Sequence, residues 1–294
     1  MKKRFLKGNT IYIIWFVFYF LLTMWAVSFF TIGVLTPLLI TTGIYTILLT
    51  LAFTPAGEKL FKLLHGVRPL YTNKEKEKIL PLAREVHKVI KKKSKKIKSS
   101  AEICISDSLI PNAFAMGENT IVVTKGLIES MTDEQIKGIL AHEYGHLAHG
   151  DTKAVVFTFI GNGVLNISTM LARKVLLFLI MITDSLQIGL IGTTLFGIIG
   201  VIFRIFLFLL DIAVFVTQLG GELILMAKSR YNEWLADYFA YKMNYGEELV
   251  SALYDLELMT SGQTLTLMEQ LKASHPHTAK RIGSLEFWLG ISIK

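Results

Sequence analysis

The 294-residue chain has almost no cysteine: Cys104 stands alone. A disulfide within one chain is excluded, and so is a cysteine-based metal cluster. Any metal must be held by His, Asp or Glu. Charge is missing too, over long stretches. Residues 11–30 and 32–53 carry none. Residues 154–183 and 186–227 are nearly as apolar, interrupted by Asn162, Asn166, Arg173, Lys174, Asp184, Arg204 and Asp211. A bilayer core of about 30 Å takes roughly 20 apolar residues in a helix. The four runs therefore predict four transmembrane helices in two hairpins. Also absent are an internal repeat and any nucleic-acid-binding motif, so the net charge of +8 points to no nucleic-acid partner.

What charge there is lies in clusters. Lys2, Lys3, Arg4 and Lys7 precede the first apolar run; Lys59, Lys62, Arg68 and seven lysines between Lys88 and Lys98 follow the second. Basic flanks stay in the cytoplasm, which places both ends of the first hairpin inside. The N-terminus also resembles a signal peptide, with Ala26-Val27-Ser28 as a weak cleavage pattern. The length of the first run and the second run close behind it favour a retained hairpin.

The chain divides into a first transmembrane hairpin (1–54), a cytoplasmic part (55–153), a second hairpin (154–228) and a cytoplasmic C-terminal part (229–294). Residues 57–65 form a short amphipathic stretch suited to a membrane surface. From Asn73 to Lys98, Ile79, Leu82, Val86, Val89, Ile90 and Ile97 recur at helical spacing. The opposite face is the lysine run, either a solvated surface or a contact for anionic lipid. Residues 102–106 (EICIS) and 120–124 (TIVVT) read as strands. Between them "PNAFAMGEN", bounded by Pro111 and Gly117, reads as a short edge strand. A helix begins at Thr132, with Asp133 and Glu134 in its first turn and Gln135 at the capping-box position, and ends near Gly150. The C-terminal part carries two or three helices and the polar block "ASHPHTAKRI".

The Thr132 helix contains "ILAHEYGHLAHGD", residues 139–151. Residues four apart share a helix face, so His142 and His146 can bind one ion while Glu143 reaches a water beside it. This is the H-E-x-x-H arrangement of zinc peptidases. A catalytic zinc site has three protein ligands and an open position. His149 is a poor third ligand, because one straight helix does not wrap three ligands around an ion. Glu233, in "SRYNEWLAD", is the better one. Asp237, one turn on, is placed to accept a hydrogen bond from the far nitrogen of a ligating histidine and fix its tautomer.

Four blocks, "VVTKGLIESMTDEQIKGILAHEYGHLAHGD", "PNAFAMG", "SRYNEWLAD" and "SHPHTAKRI", resemble those of HtpX-type membrane zinc endopeptidases. These are gluzincins related to the CAAX prenyl proteases. The resemblance covers about residues 55–285. Asn232, before the glutamate, departs from the usual pattern, which puts no ligand in doubt. The resemblance implies an α+β membrane protein: a mainly helical gluzincin-type domain with a small β-sheet, plus four transmembrane helices. It implies one Zn2+ per chain on His142, His146 and Glu233, with Glu143 as general base. It also implies that Asn112, Ala113, Phe114 and Ala115 pair with substrate backbone. The oxyanion stabiliser stays open among His275, Arg281 and Tyr231, with His275 first. The implied activity is cleavage of unfolded or damaged membrane proteins, in quality control at the cytoplasmic membrane. A CAAX-type prenyl-protein protease and a non-catalytic membrane scaffold are the alternatives. Nothing in the sequence sets the oligomeric state.

Membrane parity supports the same topology. His146 and Glu233 must meet at one ion, so the chain between them crosses the bilayer an even number of times. Two crossings, with a turn near Thr183-Asp184-Ser185, give four spans and both termini inside. In the fourth span Arg204, Asp211, Gln218 and Glu222 lie within about 60° of Glu233 on a continuous helix. They form either a polar groove leading substrate to the zinc or internal pairs with Asn162 or Asn166.

Overall fold

The computed structural model describes residues 2–28, 31–52, 54–64, 66–97, 99–260 and 278–291. The chain forms two compact units. The first comprises residues 1–51 and 156–225, the second residues 52–155 and 226–294.

In the first unit α1 (Lys2–Ser28) and α2 (Leu35–Ala52) form a hairpin. Tyr45 is 3% exposed; its hydroxyl lies 3.2 Å from that of Thr23, and its ring meets Phe16 edge-on. This unit also holds most of α7 (Asp151–Ser185) and of α8 (Gly189–Lys242). Among the described residues two stretches are long and apolar enough to cross a membrane, Asn166–Ser185 and Gly189–Thr217. Ile14–Trp25 and Leu35–Leu51 are apolar but shorter. The turn between α7 and α8 falls at residues 186–188, just past the expected place. Arg204 and Asp211 are both ion-paired across this hairpin, to Asp184 and Arg173. In the sequence Arg173 reads as an interruption of the third apolar run and Asp184 as part of the turn after it, neither as a partner of the fourth. The side chains of Asn162, Gln218 and Glu222 lie outside those described.

The second unit is built on α3 (Pro55–Leu64), β1 (Val67–Pro69), α4 (Asn73–Lys93), β2 (Glu102–Ser106), β3 (Ala113–Met116), β4 (Thr120–Thr124), α5 (Lys125–Ser130), α6 (Asp133–His149), the end of α8, α9 (Gly246–Thr260) and α10 (Thr278–Leu289). The strand order is β1-β2-β4-β3. β2 and β4 are parallel; β1 and β3 are antiparallel edges. Ile103, Ile105, Ile121 and Val123 face the main core, with Ile79, Val86 and Ile90 of α4 and Ile136, Leu140 and Tyr144 of α6. The expected helix through Lys98 stops at Lys93, where Ser94 turns extended (φ −126°, ψ 126°). Ile97 still reaches the core, 8% exposed, from the non-helical segment that follows. Its helical spacing was therefore misleading.

Candidate metal centre

Helix α6 presents the motif because both its ends and two of its contacts are specified. Thr132 and Gln135 form the expected reciprocal capping box. Gln135 also donates to Asp255 on α9 at 2.5 Å. At the far end Gly150 adopts φ 70°, a left-handed cap. Two glycines let neighbouring backbone approach. A Cβ on Gly138 would lie 2.5 Å from the Leu249 nitrogen, and one on Gly145 would lie 2.8 Å from Ala236 Cα. Gly145 thus sets the distance between the two histidines and the end of α8 that carries Glu233.

The structure brings His142, His146 and Glu233 together. His142 Nε2 and His146 Nε2 are 3.2 Å apart. Glu233 lies 3.3 Å from the first and 3.4 Å from the second. A tetrahedron with metal–ligand bonds of about 2.0–2.1 Å has edges of roughly 3.3–3.4 Å, so the donor set fits Zn2+ in chemistry and spacing. Glu143 is 1% exposed, and its Oε2 has no hydrogen-bond partner among the described residues. A buried carboxylate oxygen left open beside that cluster fits a metal site with a water to be activated. Cys104 belongs elsewhere: it sits in the sheet, 1% exposed, and burial pushes its thiol up to about 11.

Asp237 does what its spacing predicted. Its Oδ1 accepts from His142 Nδ1 at 2.8 Å, leaving Nε2 of that ring for the ion. Arg281 does something the sequence did not foretell. Its Nη2 and Nε donate to the two oxygens of Asp237 at 2.7 and 2.9 Å, and its Nη1 lies 3.1 Å from Glu233. Burial alone would raise the Asp237 carboxyl, but Arg281 and His142 outweigh it and hold it down at about 2. The guanidinium of Arg281 is therefore engaged with two carboxylates. Charge counting was the available signal. Glu143, Glu233 and Asp237 are each at most 4% exposed. Three buried carboxylates exceed a divalent ion by one charge, and Arg281 supplies the balance.

Tyr231 is not brought to the site. It is half-exposed and stacks on Trp234, and two residues along a helix place it about 200° from Glu233. His149 bonds the Gly145 carbonyl at 2.7 Å, within its own helix. His275 lies outside the described residues. Ala113, Phe114 and Ala115 fall in β3, which packs beside α6. Asn112 directly precedes it, its carbonyl accepting from Thr124. By antiparallel alternation the backbone groups of Ala113 and Ala115 then point away from β4, toward the open edge.

The chain is similar to several known proteins. Protease HtpX of Chromohalobacter salexigens is 31% identical over 210 residues, covering 63% of this chain and 65% of that protein. A protease HtpX homolog of Neisseria meningitidis is 28% identical over 198 residues, with the same coverage. The chain thus spans just under two thirds of the length of these relatives. The crystal structure of S. mikatae Ste24p aligns with a TM-score of 0.49 at 20% identity, covering 91% of this chain and 61% of that one. The profile of peptidase family M48 matches residues 79–289, most of the chain and every described residue of the metal centre, so the chain belongs to peptidase family M48.

Proposed function

We propose that this protein is a membrane-bound zinc endopeptidase that cleaves unfolded or damaged proteins, membrane proteins among them, on the cytoplasmic side. The observation that carries this function is the His142–His146–Glu233 cluster with the buried, open carboxylate of Glu143 beside it. Zn2+, when bound, supplies Lewis-acid activation of water and of the scissile carbonyl. Glu143 takes the proton from the attacking water and delivers it to the leaving amine. Asp237 holds His142 in the tautomer that offers Nε2, and Arg281 holds both Asp237 and Glu233. The open edge of β3 takes the substrate as an added strand, through the backbone of Ala113 and Ala115. Such pairing needs an extended segment, so folded domains are excluded and unfolded chains admitted.

Membrane attachment is supported by the two long apolar helices and the HtpX relatives. Four spans with both termini inside follow from four uncharged or nearly uncharged runs, basic flanks on the first hairpin, and an even number of crossings between His146 and Glu233. A quality-control role follows from selection of unfolded substrate. The test is digestion of a soluble protein, native and reductively unfolded, by the full chain in detergent. Cleavage of the unfolded form alone, stopped by a chelator and restored by zinc, is expected. Equal cleavage of both forms, or activity indifferent to chelation, would contradict the assignment.

A further inference from the structure

Two ion pairs join α7 to α8. Arg204 Nη2 lies 2.7 Å from Asp184 Oδ2, and Arg173 Nη1 lies 3.3 Å from Asp211 Oδ1. Neither pair is enclosed. The side chains are 47% and 44% exposed in the first pair, 57% and 43% in the second. Arg173 and Asp184 are eleven residues apart and Arg204 and Asp211 seven, so each couple returns to within about 20° of the same helix face. Both pairs therefore lie on one side of the hairpin. Arg173, Arg204 and Asp211 fall inside the apolar stretches Asn166–Ser185 and Gly189–Thr217, and Asp184 stands at the end of the first. Half-exposed charges inside these stretches would face hydrocarbon. Ionisable groups in membrane segments almost always face protein or water instead.

The order of the charges points to what covers them. At the level of Arg204 and Asp184, α8 is positive and α7 negative. At the level of Arg173 and Asp211, α7 is positive and α8 negative. A two-fold axis along the membrane normal, in front of this face, sets α7 of one copy against α8 of the other at the same depth. Arg204 then meets the partner's Asp184, and Arg173 meets the partner's Asp211. Every charge faces its opposite, as an isologous contact requires. We propose that this face of the α7–α8 hairpin is a self-complementary interface with a second copy of this chain in the membrane.

The glycines of α8 agree. Gly197 is seven residues before Arg204, on the same face, and a Cβ there would meet nothing within 4 Å. Such a position lets two helix backbones approach. A Cβ on Gly200 would come within 3.0 Å of Arg204 Nη1 and of Thr183 Oγ1, so that glycine leaves the space through which Arg204 reaches Asp184. The proposal rests on α7 and α8 crossing a bilayer, and not on the peptidase chemistry.

The test uses the full chain, co-expressed in one membrane with two different tags. One version is native; the other carries Arg173→Asp, Asp184→Arg, Arg204→Asp and Asp211→Arg. Each internal ion pair survives in the swapped chain, yet in a mixed pair like charges meet across the axis. Like-with-like pairs are expected to co-purify, and mixed pairs to fall by about tenfold. A second measurement covers the case that the swapped chain fails to fold. Gly197→Cys, with native charges, is expected to give an oxidative crosslink at twice the mass of the chain. Leu195→Cys, on the exposed face about 180° from Arg204, is expected to give none. The native chain, whose Cys104 is buried, is the blank. Free mixing of native and swapped chains overturns the proposal. So does equal crosslinking from 195 and 197, or a 197 adduct to another membrane protein, which would make the face a docking site for substrate. Release of the chain from membranes by an alkaline wash without detergent would instead overturn the membrane reading itself.

Discussion

Gly145→Ala is the smallest change that separates the two halves of the metal centre. The added Cβ would lie 2.8 Å from Ala236 Cα, 3.1 Å from its Cβ and 3.1 Å from its carbonyl oxygen. Ordinary contact begins near 3.4 Å, so α6 and the end of α8 must part by about 0.6 Å. Most of those obstacles are backbone atoms, which do not swing aside. Overpacking of this kind costs about 1–3 kcal/mol. The gap opens between His142 and His146 on one side and Glu233 on the other. Metal–ligand distances tolerate about 0.2 Å, so the ligand set no longer closes on the ion. The variant is expected to lose zinc affinity by one to two orders of magnitude, about 1.4–2.8 kcal/mol. Competition with a chromophoric chelator measures this in detergent, with thermal melting of the metal-free protein alongside. Adding Ala236→Gly removes only the Cβ and leaves Ala236 Cα in place, so it is expected to rescue little. A Gly145→Ala protein with native zinc affinity and native melting would refute the claim that this contact sets the ligand spacing.

Three further outcomes are expected. Glu233→Ala purifies with little zinc while His149→Ala keeps it, read by metal analysis; the reverse result would reassign the third ligand. Arg281→Gln leaves Asp237 and Glu233 buried without their cation, at a cost of about 3–5 kcal/mol in the melting of the metal-free protein; an unchanged melt would mean the clamp is idle. Glu75 closes the capping box of α4 and is held down at about 2, chiefly by Arg68, against an ordinary value of 4.5. A lowered folded value gives stability that is present above pH 4.5 and lost as pH falls toward 2. Glu75→Gln is therefore expected to be less stable than the native chain at pH 7, with the gap closing between pH 4.5 and 2. A gap independent of pH would count against the ion pair.

Much of the second unit was legible because its signals are local. EICIS and TIVVT became β2 and β4 residue for residue, and Thr132 and Gln135 capped α6 as read. Period-two apolar runs and cap residues are written within a few positions. β1 was missed because Val67–Pro69 is three residues with no period, held in place by pairing with β2. The end of α4 differs from the expectation because Ile97 keeps helical spacing while lying in the non-helical segment after Lys93. At the site, His142, His146, Glu233 and Asp237 were readable from two i, i+4 couples. Arg281 reads in the sequence only as one of three candidate oxyanion stabilisers, with His275 and Tyr231, and not as a clamp on carboxylates. Its clamp depends on α10 packing beside α8, a contact between residues 44 positions apart that no local pattern encodes. The ion pairs of α7 and α8 were hidden likewise, since their partners lie 20 and 38 residues apart in sequence.

The most direct measurement of the central claim is Glu143→Gln in the full chain, assayed for metal content and for hydrolysis of an unfolded protein in the same preparation. Glutamine keeps the size of the side chain and removes the base. His142, His146 and Glu233 are untouched, so zinc is predicted to stay at the native stoichiometry. Hydrolysis is predicted to fall by about 10²–10⁴-fold, the range that general-base catalysis contributes. Native hydrolysis by a zinc-loaded Glu143→Gln protein would contradict the account.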